Sequence, residues 1–183
     1  MSEAQSKYLD TFPEWLRSLG DDAERLASVL EEQGYPEGGR AAVAGGLNYL
    51  FKSLDIVPDG IDDIGYLDDA FVLRVSADLA AREEGGDADA APRDKLGALA
   101  NDCDLIREFL GDDYERLERY VADLRKGAAR GRSVTDILGD AEVREELLGD
   151  VRGFARSYRA PAFAREEKNL IKLKAFFEAK LPK

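Results

Sequence analysis

Six aspartates crowd the stretch Tyr49–Leu73, YLFKSLDIVPDGIDDIGYLDDAFVL, in a chain that contains no histidine. The missing imidazole removes His-ligated zinc, Ser-His-Asp triads and His-based acid–base pairs together. What remains is carboxylate chemistry. Asp59, Asp62 and Asp63 fall on one face of a short helical turn, Asp55 precedes it, and Asp68 and Asp69 open the next apolar run. An all-oxygen set of this kind suits a hard cation, magnesium, manganese or calcium, and Asp59, Asp62, Asp63, Asp68 and Asp69 are its candidate ligands. The competing reading is structural and requires no cofactor: Asp55 or Asp59 caps a turn, and Asp68 and Asp69 lie where a helix N-terminus favours negative charge. Jointly ionised carboxylates so close together repel, and Arg74 and Lys52 are the nearest basic residues in sequence to balance them.

Known arrangements of aspartates fit poorly. Asp62-Asp63 with Asp68 echoes the D-D-x-x-x-x-D element of helical isoprenyl diphosphate synthases, but the second Asp motif is absent, and no EF-hand register fits. Nucleophilic catalysis lacks both a G-x-S-x-G elbow and a cysteine with a positioned base. The single Cys103, in a polar run, reads as a small helix-face residue rather than a reactive thiol.

Two basic features are candidate contact surfaces. Near the C-terminus Phe163, Leu170, Leu173, Phe177 and Leu181 form an apolar stripe flanked by Lys168, Lys172, Lys174 and Lys180. Such a helix docks on its own acidic body, on a protein partner, or on anionic lipid as a peripheral contact. The loop with Arg125, Lys126, Arg130 and Arg132 before Ser133 is a solvated basic turn or an anion contact, and without Gly-Lys-Ser/Thr it is not a P-loop.

These residues need elements to hold them. The strongest local grammar is helical: Leu19-Gly20-Asp21-Asp22-Ala23-Glu24-Arg25-Leu26 recurs as Leu110-Gly111-Asp112-Asp113-Tyr114-Glu115-Arg116-Leu117, with shorter forms at Leu138-Gly139-Asp140 and Leu148-Gly149-Asp150. Glycine closing one helix and aspartate capping the next explains each copy. The spacing predicts helices at 13–19, 22–33, 38–52, 67–82, 93–110, 112–126, 135–148, 150–159 and 162–181, a loop at 126–131, and no strands. Ala41 with Gly45 and Ala42 with Gly46 would let the helix at 67–82 fold back closely. The run after Arg82 reads as a linker, dividing the chain into residues 1–84, a linker at 85–92, and residues 93–183 packed on the first part.

The fold class expected is all-α, a compact multi-helix bundle around a central antiparallel helical hairpin with an Asp-rich connector. A net charge of -12 repels phosphate backbones, so no nucleic acid is expected. Residues 1–150 hold 17 basic and 35 acidic side chains, and residues 151–183 hold 9 and 3, so the two parts attract. The longest uncharged run, Ala41 to Phe51, is too short to span a bilayer, and the opening MSEAQSKYLD has no basic and apolar leader pattern. A cytoplasmic protein is expected.

Ser53, Leu54, Asp55, Ile56, Val57, Pro58 and Asp59, followed by Ile64, Gly65, Tyr66, Leu67, Asp68 and Asp69, resemble the signature of the YkvA-like family, domain of unknown function 1232. That signature reads roughly S-P-I-D-L-I-P-D-F-I-P-x-L-G-Y-L-D-D, and the resemblance runs mainly over residues 41–81. It implies a fold more than a function, since the family carries no agreed activity. Leu54 stands where the family usually has proline, and Gly60, Asp62 and Asp63 replace a more apolar connector, which argues against the membrane association suggested by greasier members. The function expected is non-catalytic, a protein-interaction or regulatory role. The alternatives are a divalent-cation-dependent enzyme acting on a phosphate-containing substrate, and peripheral membrane attachment through the C-terminal helix.

Overall fold

The computed structural model describes the backbone of residues 1–32, 34–83 and 90–183, and the side chains of these except residues 90–95. A capping box between Ser2 and Gln5 starts α1 (Glu3–Leu30). This one helix replaces the two expected at 13–19 and 22–33. Pro13 lies inside it, and the backbone bond proline removes is outweighed by a continuous buried face of Leu9, Phe12, Leu16, Leu19, Ala23, Leu26 and Leu30. Gly20 does not end the helix. A Cβ there would stand 3.2 Å from the Ala155 Cα, so its lack of a side chain serves close packing.

The hairpin consists of α2 (Glu37–Tyr49) and α3 (Leu67–Arg82), joined by the connector 50–66. Gly39 lies beside Ala80 and Gly46 beside Ser76, so the two helices run antiparallel, as expected. A Cβ on Gly46 would overlap the Ser76 hydroxyl. Gly45 instead receives the backbone of Leu124 and Arg125, where a Cβ would lie at 3.1 Å. From Leu67 to Ala77 every residue of α3 is buried, so this helix is the centre of the body.

Around it stand α4 (Ala90–Asn101), α5 (Cys103–Leu110) and α6 (Asp113–Asp123), the last continued by a 3-10 turn at Leu124–Lys126. Of the linker expected at 85–92, residues 85–89 lie outside the described residues, and α4 is already helical from Ala90. The helix expected at 93–110 breaks at Asp102. A two-residue hairpin pairs β1 (Ala128–Ala129) with β2 (Arg132–Ser133), turning through left-handed Arg130 and Gly131, φ 51° and 76°. Two-residue strands leave no periodicity to read, which is why a loop was expected here. Next, α7 (Val134–Gly139) is capped by Ser133 and α8 (Ala141–Ser157) by Asp140. The break expected near Gly149 therefore falls nine residues earlier, at Asp140. Finally, α9 (Glu167–Lys180) lies within the range expected at 162–181.

Aromatic rings from both halves of the chain share one core. Phe12 of α1 meets Phe71 of α3 at 5.2 Å and Phe109 of α5 at 5.0 Å, and Phe71 stacks on Phe177 of α9 at 5.2 Å. Arg116 of α6 donates to the Glu178, Leu181 and Pro182 carbonyls and so caps the end of α9. Phe177→Ala is expected to cost about 3 to 5 kcal/mol, because Phe177 is fully buried and its loss leaves a cavity against Phe71. Urea unfolding checks this; a loss below about 1 kcal/mol would mean that α9 is only loosely seated.

Candidate functional site: a sealed carboxylate cluster

The connector is tied down by its own apolar residues. Ile56, Val57 and Ile64 are buried, while Gly65 donates to the Ile61 carbonyl at 2.9 Å. Asp63 and Tyr66 have positive φ, 70° and 68°. For a bulky residue such as Tyr66 that conformation is strained, and strain of this kind gathers at functional positions. It turns the chain sharply into α3, whose N-terminus has no side-chain cap. Asp68 and Asp69 in its first turn are thereby carried inward, 0% and 2% exposed.

A short hydrogen-bond chain latches the connector to both helices. Ile56 N–H donates to the Tyr49 hydroxyl at 2.7 Å, which donates to Asp68 Oδ2 at 2.5 Å, and Val57 N–H donates to the same oxygen at 3.1 Å. The other oxygens are left over. Asp68 Oδ1, Asp69 Oδ2 and Asp55 Oδ1 are buried without a hydrogen-bond partner.

Burial, followed by the charges of Asp68, Asp59 and Asp55, drives the Asp69 carboxyl well above the usual carboxylate range. Burial raises Asp68 too, and its bonds from Tyr49 and Val57 only partly offset this. Asp55 is pushed up to about 7 by burial and then by Asp59 and Asp68, with Lys52 opposing; burial likewise raises Asp59. The hydroxyls of Tyr66, Tyr120 and Tyr158 are raised by burial, then by their neighbours, these aspartates among them. Low polarity and like charge thus act in the same direction, toward protonated carboxyls.

Of the five aspartates singled out by sequence, Asp68 and Asp69 form the buried centre of this cluster and Asp59 stands at its exposed rim. Asp62 is exposed at the surface. Asp63 accepts from Asn169 Nδ2 at 3.0 Å and ties the connector to α9. Asp55, Tyr49, Tyr66, Tyr120 and Tyr158 complete the cluster without having been among the candidates. Among the described residues no group of three or more His, Cys, Asp or Glu side chains is disposed to hold a metal ion. Arg74, the basic residue expected to balance the aspartates, faces elsewhere: it pairs with Asp22 at 3.2 Å and Asp102 at 2.9 Å. Lys52 is the one of the two that acts on the cluster, through Asp55.

The C-terminal stripe is turned inward. Leu170, Leu173 and Phe177 are buried and Phe163 is half-buried, leaving Lys168, Lys172, Lys174 and Lys180 outside. Lys168 pairs with Glu166 at 2.7 Å, and Lys174 lies 5.0 Å from the Phe109 ring centre. Among the described residues no helix is long and apolar enough to cross a membrane. In the basic loop, Arg130 and Arg132 pair with Asp150 at 3.2 and 2.7 Å, and Lys126 pairs with Asp123. Cys103 is buried, and burial lifts its thiol to about 12, which suits a packing residue.

No curated protein and no solved structure matches the chain. A family model described as "Protein of unknown function (DUF1232)" matches residues 40–74, the stretch that holds most of α2, the whole connector, and the Asp68-Asp69 turn of α3.

Proposed function

We propose that the chain is a non-catalytic regulatory or interaction protein whose folded body is conditional on neutralising the sealed carboxylate cluster. The observation that carries this reading is the set of three buried carboxylate oxygens, on Asp55, Asp68 and Asp69, that have no hydrogen-bond partner. Low polarity and neighbouring negative charge make such groups costly as carboxylates, and a proton or a cation relieves that cost. An enzyme would need its substrate beside these groups, yet Asp68 and Asp69 are closed off beneath the connector. What the cluster can influence is the connector itself, where Leu54, next to Asp55, is 86% exposed. Proton uptake at Asp55 would thus alter a surface that a protein partner can read.

Thermal melts between pH 5 and 8.5 in chelator test this. The melting temperature is expected to fall as pH rises, since the folded state then loses protons it holds more tightly than the unfolded chain does. A flat profile would overturn the reading. Repeating the series with millimolar magnesium, manganese or calcium identifies whether an ion takes the place of the protons: it would raise the melting temperature at high pH and flatten the profile.

A further inference from the structure

A cleft of about 480 Å³ between α2 and α7 is lined by Arg40, Arg125, Tyr35, Glu37 and Thr135, among others. Arg40 Nε is buried without a hydrogen-bond partner, and its Nη2 reaches the Leu30 carbonyl only at 3.5 Å, the outer limit of a hydrogen bond. A guanidinium has five donors in a planar fork, and leaving one of them dry is costly. Arg144 stands behind it, held by the Ile137 and Leu138 carbonyls at 3.2 and 3.1 Å. Burial, and then the charge of Arg144, make the Arg40 cation harder to keep, with Glu37 opposing. Arg125 is exposed at the same cleft and has no ion-pair or hydrogen-bond partner among the described residues.

Two guanidinium groups, Arg40 and Arg125, against the one carboxylate of Glu37 leave the cleft lining with an excess of one positive charge, in a chain whose net charge is -12, and Arg144 adds its field from outside the lining. The sequence alone places Arg125 in a basic loop, but Arg40 and Arg144 join it only through the fold.

We propose that this cleft is a binding site for a phosphoryl group, held by the under-satisfied guanidinium of Arg40 at its wall and the free guanidinium of Arg125, with Thr135 as a hydroxyl donor at its rim. An anion offsets the excess positive charge, and the terminal oxygens of a phosphoryl group suit recognition by guanidinium donors. The volume is ample for a phosphate with a small organic substituent. The acidic body opposes the anion at long range, so the site acts by contact and not by steering. The site lies apart from the carboxylate cluster, and neither proposal depends on the other.

The test is calorimetric titration at constant ionic strength, sodium chloride replacing phosphate mole for charge. Inorganic phosphate and a phosphoserine tripeptide form separate arms, distinguishing a free anion from a phosphorylated residue on a partner. Binding in at least one arm is expected, weakened at least tenfold by Arg125→Ala, an exposed change that the fold should tolerate. Arg40→Lys, which keeps the charge but removes the fork, should weaken it similarly. Absence of binding in both arms, or binding undiminished in Arg125→Ala, overturns the proposal.

Discussion

Asp69→Asn should make the protein more stable at pH 8 and leave it unchanged near pH 4. The substitution keeps the shape of a fully buried side chain and removes a charge that burial, Asp68, Asp59 and Asp55 all disfavour. For an acid whose folded pKa is raised, the folded state binds more protons than the unfolded chain between the ordinary value and the raised one. Stability is therefore greatest below about pH 4 and declines as pH climbs through that window. For Asp55 the window closes at about 7, and Asp69, driven well above the usual carboxylate range by burial and then by its neighbouring aspartates, contributes in the same direction.

Each unit of raised pKa corresponds to about 1.4 kcal/mol at a pH above the window. A gain of at least that size, about 3 to 6 °C in melting temperature for a chain of this length, is the expected result at pH 8. The wild-type and variant curves should converge as the medium is acidified. A variant less stable than wild type at every pH would show that Asp69 makes an attractive contact, and the conditional reading would fail with it. In an ion that stabilises the wild type, Asp69→Asn should lose most of that response.

How much of this could be read beforehand differs between hairpin and periphery. The bounds of α3, Leu67–Arg82, follow from its apolar run and the linker signal after it. The antiparallel hairpin follows from small residues at four-residue spacing in α2. The Leu-Gly-Asp motif, by contrast, has different outcomes at its four sites. Gly111 adopts φ 58° and breaks a helix, and Gly139 ends α7. Gly20 and Gly149 lie within helices. The local sequence is nearly the same at Gly20 and Gly111; what differs is the neighbour, Ala155 packed on Gly20 and open space beside Gly111. Tertiary contact decides, and no window of eight residues contains it.

The candidate site is divided in the same way. Asp68 and Asp69 were visible because they are consecutive with the connector. The tyrosines were not, since Tyr49, Tyr66, Tyr120 and Tyr158 come from α2, the connector, α6 and the residue after α8. Arg74 misleads for a geometric reason: five residues beyond Asp69 on a helix is a rotation of roughly 500°, which leaves the two side chains about 140° apart. Closeness in sequence therefore placed the cation on the wrong side of α3.

On that other side Arg74 holds the body together, and Arg74→Met should cost about 3 to 5 kcal/mol. Its side chain is 3% exposed, Asp22 opposite it 6%, and Asp102 35%. The guanidinium joins α1 to α3 and to the α4–α5 break, donates to the Ala70 carbonyl at 3.2 Å, and lies 4.2 Å over the Trp15 ring. Methionine preserves much of the apolar stem, so most of the expected loss comes from leaving Asp22 buried with, among the described residues, only the Ser18 hydroxyl as a side-chain donor at 2.7 Å. The double variant Arg74→Met/Asp22→Leu removes that stranded charge and should recover most of the stability, with Asp102 turning to water. If the double variant is no better than the single one, the lost energy belongs to packing over Trp15 and not to the ion pair. The pH dependence should persist in the recovered double variant, because the carboxylates that produce it lie on the opposite side of α3 from Arg74.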